Sequence, residues 1–194
     1  MQNLFPILCL VFFSSYSYSH EVSTDKCYTD PDGICYEPDS KKPYTGIYTH
    51  YYENGQLERR GNLENGKVEG FWEFYRENGL IDHTWTYQGG VFHGVYEEFH
   101  ENGQLLATGH FKKGKQTGVD ERFYDSGEVY WRRNWKNGEF HGIWESFSKN
   151  GKTKILSNWK NGKELNQTRF TYYGSGKLRQ KGAFKGDKPN GLYE

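Results

Sequence analysis

The sequence is short of the residues that build most soluble cores. It holds one Met and five Pro, and only 34% of it is hydrophobic even with the aromatics counted. That supply excludes a helical bundle cored by Leu and Ala. Neither charge is in excess: 25 Lys and Arg balance 25 Asp and Glu, which argues against a dedicated nucleic-acid binder. A membrane-spanning helix needs about 20 apolar residues, and the one long apolar run, Leu4–Phe13, is half that. P-loop, GxSxG, HExxH and Rossmann glycine patterns are all missing. What is plentiful is glycine, at 24 residues, and ring side chains, at 16 Tyr, 13 Phe and 6 Trp. An aromatic load of this size argues against disorder and points to an all-β fold punctuated by glycine.

Leu4–Phe13 fits the apolar region of a signal peptide, with Ser17 and Ser19 as the small residues before a cut at His20. The preceding Met1-Gln2-Asn3 departs from that pattern in having no Lys or Arg. Residues 1–19 are therefore read as a signal peptide, with a retained hydrophobic anchor as the alternative, and the chain as exported to the periplasm, the cell envelope or the medium. Cys27 and Cys35 flank Pro31-Asp32-Gly33, a strong turn signal. In an oxidising compartment the two form a disulfide; as metal ligands without nearby His they would supply half a set. Residues 20–43 thus read as a disulfide-bearing cap ahead of a repeat domain, 44–194.

Three glycine columns define the repeats. Gly46, Gly70, Gly94, Gly118 and Gly142 stand 24 residues apart, and a sixth unit starts near Gln167 after a one-residue insertion. Nine residues on come the turn glycines Gly55, Gly79, Gly103, Gly127 and Gly151, and later Gly66, Gly90, Gly114, Gly138 and Gly162. Asn-Gly at 54–55, 78–79, 102–103 and 150–151 predicts type I′ hairpin turns. Each unit then becomes a hairpin, and six hairpins become an elongated meander in a single extended sheet. Twelve such strands give a sheet about 55–60 Å long and ~20 Å wide. The second strand of each unit carries the inward columns: Leu57, Ile81, Leu105, Val129 and Leu178, with Thr153 the exception, and then Leu63, Tyr87, Phe111, Trp135, Trp159 and Phe184. Gly61, Gly109 and Gly182 leave room between them for neighbouring rings, while Asn62, Thr86, His110, Asn134 and Asn158 form a wet face. In the first strand, as in Phe71-Trp72, rings fall on both faces.

The recurring signature is a Gly followed by an aromatic, a Tyr or Phe before an acidic-Asn-Gly turn, and an aromatic before a Lys/Asn-Gly turn. It is carried by PYTGIYTHYYENGQLERRGNLENGKVEG and HGVYEEFHENGQLLATGHFKKGKQTG. This resembles the MORN-repeat variant of bacterial proteins, including YwqK-type antitoxins, over residues 44–194. The resemblance implies an interaction platform and offers no shared catalytic residues.

Residues arranged for chemistry are few. His93 and His141 lie four strands apart, roughly 19 Å, too far to share an ion. The carboxylates Glu73, Glu97, Glu121 and Glu145 recur at one first-strand position about 10 Å apart, too far for an acid/base pair. They are the candidate partner-binding column; Glu53, Glu77, Glu101 and Asp125 belong to the turns. No catalytic, cofactor or metal residue is assigned. The sequence is read as an exported, non-enzymatic repeat protein whose sheet binds another macromolecule, most directly a protein. The alternatives are neutralisation of a cognate effector, as an antitoxin or immunity protein does, and a glycan- or cell-wall-binding surface using rings such as Tyr52 and Tyr124. Neither nucleic acid nor a membrane surface is favoured.

Overall fold

The computed structural model describes residues 22–23, 27–186 and 188–193; the segment read as a signal peptide lies outside the described residues. Three short strands precede the repeats: β1 (Val22–Ser23), β2 (Tyr28–Thr29) and β3 (Cys35–Tyr36). The repeats supply β4 (Gly46–Tyr51), β5 (Leu57–Glu64), β6 (Lys67–Tyr75), β7 (Ile81–Gln88), β8 (Val91–Phe99), β9 (Leu105–Lys112) and β10 (Lys115–Phe123). They continue with β11 (Val129–Lys136), β12 (Glu139–Phe140), β13 (Gly142–Phe147), β14 (Thr153–Lys160), β15 (Lys163–Tyr172), β16 (Leu178–Lys185) and β17 (Lys188–Tyr193).

From β4 onward each strand pairs with the next, antiparallel, in one open sheet, with the short β12 beside β11 off the main path. Twelve of these strands are the expected six hairpins. The sheet gains one strand at each end: β17 from the terminal fragment, and β1, which lies parallel on β4. Its length is therefore on the order of 60 Å at ~4.8 Å per strand.

The strands are longer than the sequence suggests. β6, β8 and β10 have nine residues each, which makes the sheet about 30 Å wide rather than ~20 Å. The reason is glycine. Gly70, Gly94 and Gly118 do not start strands; they sit inside them at φ +68°, +105° and +73°. That left-handed backbone, open to glycine at no steric cost, makes a bulge against the preceding strand. Residues 70–72 stand opposite Gly61 alone, residues 93–95 opposite Thr86, and residues 118–120 opposite Gly109. Against the following strand the pairing is regular, as in Phe71↔Thr86 and Trp72↔Trp85.

The type I′ turns do not fall where they were expected, at 54–55, 78–79, 102–103 and 150–151. Type I′ needs positive φ at both central residues, and the structure places that pair at Asn65-Gly66, Gly89-Gly90, Lys113-Gly114, Asn137-Gly138 and Asn161-Gly162. At Glu53-Asn54-Gly55 and its equivalents only the glycine is left-handed: Gly55, Gly79, Gly103, Gly127 and Gly151 lie between +75° and +95°. The Tyr52 amide reaches the Gln56 carbonyl across a three-residue loop, and Gly55 N–H donates to the Tyr52 carbonyl. This is a type I turn closed by a glycine bulge. The asparagine acts through its side chain instead, Asn54 Oδ1 accepting from the Gln56 amide at 2.9 Å and Asn102 Oδ1 from Gln104 at 3.0 Å.

One face of the sheet is a run of stacked rings. Tyr48 meets Trp72, Trp72 meets Phe74 and Tyr87, and Tyr87 leads through Phe92 to Phe111, with Trp85 and Tyr96 stacked 5.1 Å apart. The expected room beside the glycines is real: a Cβ on Gly61 would lie 2.2 Å from the Trp72 indole, and one on Gly109 would lie 2.7 Å from the Tyr96 ring. The run resumes at Trp135, Phe140, Trp159 and Trp144. Between the two stretches Asp120 replaces a ring.

Candidate functional site

The opposite face carries a row that the sequence reading did not single out. Alternation from the ring face turns Ile47, Phe71, Val95, Val119 and Ile143 outward, one in each of the first five units and each immediately after the unit's first glycine. They are 38%, 55%, 42%, 44% and 48% exposed. Their cross-strand neighbours are the polar Asn62, Thr86, His110, Asn134 and Asn158. Aliphatic and aromatic side chains in one exposed line, rimmed by polar groups, mark an interaction surface more often than scattered single ones do. The signal was in the sequence as an apolar residue after the first glycine of each of the first five units; it was read there as part of a mixed, two-faced strand.

Two residues further along each strand, on the same face, runs the carboxylate column. Glu73 pairs with Arg60; Arg132 holds Glu121 at 2.7 Å and reaches Glu145 at 3.9 Å. Glu97 lies between Thr84 and Thr108. Four carboxylates thus stand against two guanidinium groups, and the column keeps a surplus of negative charge although three of its members have partners.

The turn glycines serve backbone geometry rather than a ligand. The residues that precede their turns tie one unit to the next. Tyr52 Oη donates to the Tyr75 carbonyl at 2.6 Å, Arg76 to the carbonyls of Phe99 and His100, and Tyr124 Oη to the Phe147 carbonyl at 2.8 Å. His100 Nε2 lies 3.1 Å from the Phe123 carbonyl. Three kinds of side chain at four equivalent positions perform one task, so sequence periodicity does not expose it. It also occupies the hydroxyls of Tyr52 and Tyr124.

Arg76, Asp82, His83 and Glu98 line a cavity of about 320 Å³. Burial pushes the Asp82 carboxyl up, but hydrogen bonds from His83 and Arg76 outweigh it and hold it below its ordinary value. Arg76 is spent on Asp82 and the two carbonyls, so this cluster builds structure. Among the described residues no three His, Cys, Asp or Glu side chains are grouped to hold a metal.

At the capped end, Cys27 and Cys35 are bridged with their Cα atoms 5.7 Å apart. The Cys35 amide donates to the Gly66 carbonyl, and Cys35 packs with Tyr44, Leu63 and Trp72. The bridged hairpin therefore lies over the first type I′ turn and the start of the ring face. A second cavity, of about 370 Å³, opens there; its walls include Thr29, Tyr48, Arg59, Trp72, Phe74 and Tyr87.

No match to this chain is found among curated proteins. Among solved structures, the crystal structure of the GtfA/B complex bound to UDP and GlcNAc matches with 11% identity and a TM-score of 0.23. The match covers 89% of this chain and 28% of that one. The family model described as the MORN repeat variant matches residues 44–65, 92–113 and 140–161, the first, third and fifth hairpins. With the glycine columns and the hairpin pairing common to the intervening units, the chain is a MORN-variant repeat protein.

Proposed function

We propose that the repeat sheet is an exported, non-catalytic platform that docks another protein along its outer face. The observation that carries this reading is the line of exposed apolar residues from Ile47 to Ile143, bordered by a carboxylate column in excess of its arginines. Neighbouring members are two strands apart, about 9.6 Å. A polyproline II helix presents the same face every three residues, about 9.3 Å. An extended Pro-rich segment with apolar residues at that interval and Lys or Arg between them therefore fits both the spacing and the charge. Export is supported by the apolar run Leu4–Phe13 and by the Cys27–Cys35 bridge, since disulfides persist in oxidising compartments. Neutralisation of an effector would be a special case, recognised by one tight partner whose toxicity disappears on co-expression.

The test compares capture of polypeptides from the envelope fraction by the native chain and by a Phe71→Ser/Val95→Ser/Val119→Ser variant. Exposed positions tolerate such changes within about 0.5 kcal/mol each, so both proteins should melt alike. Loss of the captured protein with the variant supports the reading. Equal capture by both overturns it.

A further inference from the structure

The cavity under the bridged hairpin differs from the outer face in kind. It is a hollow open to solvent on one side rather than a line, and four rings and one cation stand among its walls. Arg59 lies partly buried in its wall with Nε shielded from solvent and without a hydrogen-bond partner. Arg60, Arg76, Arg132 and Arg133 each face a carboxylate. Arg59 faces none among the described residues, as is also true of Arg122 and Arg179, but Arg59 alone of the three stands in a cavity wall; the Tyr48 ring lies 5.9 Å from its guanidinium carbon. Nearby Glu58 is taken by His50. The same strand position in the later units reads His83, Ala107, Trp131, Ile155 and Gln180, so an arginine occurs there only in the unit under the cap.

A half-buried cation without a counter-ion is costly, and an incoming anion relieves that cost. The guanidinium fork suits a carboxylate held by two parallel hydrogen bonds, and one cation balances one negative charge. The other walls include the half-buried rings of Tyr48, Phe74 and Tyr87 around the buried Trp72, which lies 5.7 Å from Tyr48 and 6.2 Å from Phe74. Such surfaces take a flat ring by offset or edge contacts. The volume of about 370 Å³ is room for roughly a dozen waters at ~30 Å³ each. It therefore suits a ligand of about a dozen non-hydrogen atoms.

We propose that this cavity binds a carboxylate-bearing aromatic ring, with Arg59 receiving the carboxylate and the rings around Trp72 receiving the arene. Two sources share this chemistry: a free aromatic acid, and an aromatic residue at the C-terminus of a polypeptide. The site is separate from the outer stripe, and the Ser variants of Phe71, Val95 and Val119 leave it intact.

The test titrates the oxidised full chain with indole-3-acetate and its neutral counterpart indole-3-ethanol, and with the peptide Gly-Gly-Trp as free acid and as amide. Binding is read by amide chemical shifts. The expected result is saturable binding of an acid, at least about tenfold tighter than its neutral partner, with shifts centred on Gly33 and Gly66. Tighter binding of indole-3-acetate identifies the free acid as ligand; tighter binding of the peptide acid identifies a C-terminus. Arg59→Gln should abolish the preference for the acid. Salt should erode it on the unaltered protein, a readout that does not depend on the variant folding. Equal binding of acid and neutral forms, shifts located elsewhere, or no saturable binding at about 10 mM overturns the proposal.

Discussion

Asp120 stands where the other units place Tyr48, Trp72, Tyr96 and Trp144, and it is 1% exposed. Opposite it, in the column of Gly61, Trp85, Gly109 and Ser157, stands Arg133. Arg133 grips both carboxylate oxygens, at 2.9 and 3.3 Å, and lies 3.5 Å from the centre of the Trp131 ring. The pair splices the two stretches of stacked rings, since Arg133 also faces Trp135 and Phe140. Burial and the Asp120 carboxylate together push the neighbouring Tyr96 hydroxyl up to about 12. Removing one member of such a pair leaves a buried charge alone, so Arg133→Met should cost about 3–5 kcal/mol, while the double change Asp120→Leu/Arg133→Met should cost far less. Denaturant melts of the full cycle measure this; additive costs would show that the pair is not coupled. Asp82 supplies a second residue-scale prediction. Its carboxyl is held below the ordinary value near 3.9 by His83 and Arg76 despite the opposing effect of burial. The stability it contributes is present above about pH 4 and is lost as pH falls through the folded-state value. Asp82→Asn should therefore flatten the acid limb of the stability–pH curve and leave its neutral part parallel to that of the native protein.

The two glycine classes make opposite demands on a hairpin. Gly103 needs a left-handed backbone, φ +81°, but has open space around it; Gly61 has ordinary backbone and no space, with the Trp72 indole over it. Gly103→Ala should cost about 1–2 kcal/mol from conformation alone, and Gly61→Ala about 3 kcal/mol from overpacking the ring. Thermal melts of the two variants rank them; the reverse order would place the dominant strain in the turn. The distinction bears on what the sequence could tell. Repeats, hairpins and most of the inward columns were legible because spacing and alternation are linear properties; Leu178, expected inward, is 49% exposed because β17 pairs only with the Gly182–Lys185 end of its strand. Room beside Gly61 and Gly109 was legible for the same reason. The turn types were not, because Asn-Gly fits both a two-residue loop and the end of a three-residue loop, and the choice depends on which amide meets which carbonyl. The bulges were hidden too: a glycine before an apolar residue marks a strand start as readily as a bulge inside a longer strand. The outer stripe stayed unread for the same reason, and nothing periodic announces Asp120 or the lone Arg59.

At the scale of the whole molecule, the sheet is a line of hairpins in which each unit touches its neighbours and the cap touches the first. Stability in such an array is close to a sum of unit and nearest-neighbour contributions. The Cys27–Cys35 bridge closes a loop of about nine residues, worth about 2–3 kcal/mol by loop entropy. Through Cys35 and the Gly66 turn it reaches Leu63 and Trp72, with Val68, Phe74 and Tyr87 packed against that cluster. Further along, the rings of Trp135, Phe140 and Trp159 belong to a separate stretch beyond the Asp120–Arg133 pair. Reduction should therefore loosen one end of the molecule. Amide exchange should speed up in β4 to β7 and stay unchanged in β13 to β16, with the central strands graded between them. Uniform acceleration along all strands would mean that the sheet opens as a single cooperative unit. Local loosening would leave most of the outer stripe presented while dismantling the cavity beneath the cap, so docking along the face and binding at the capped end would respond differently to reductant.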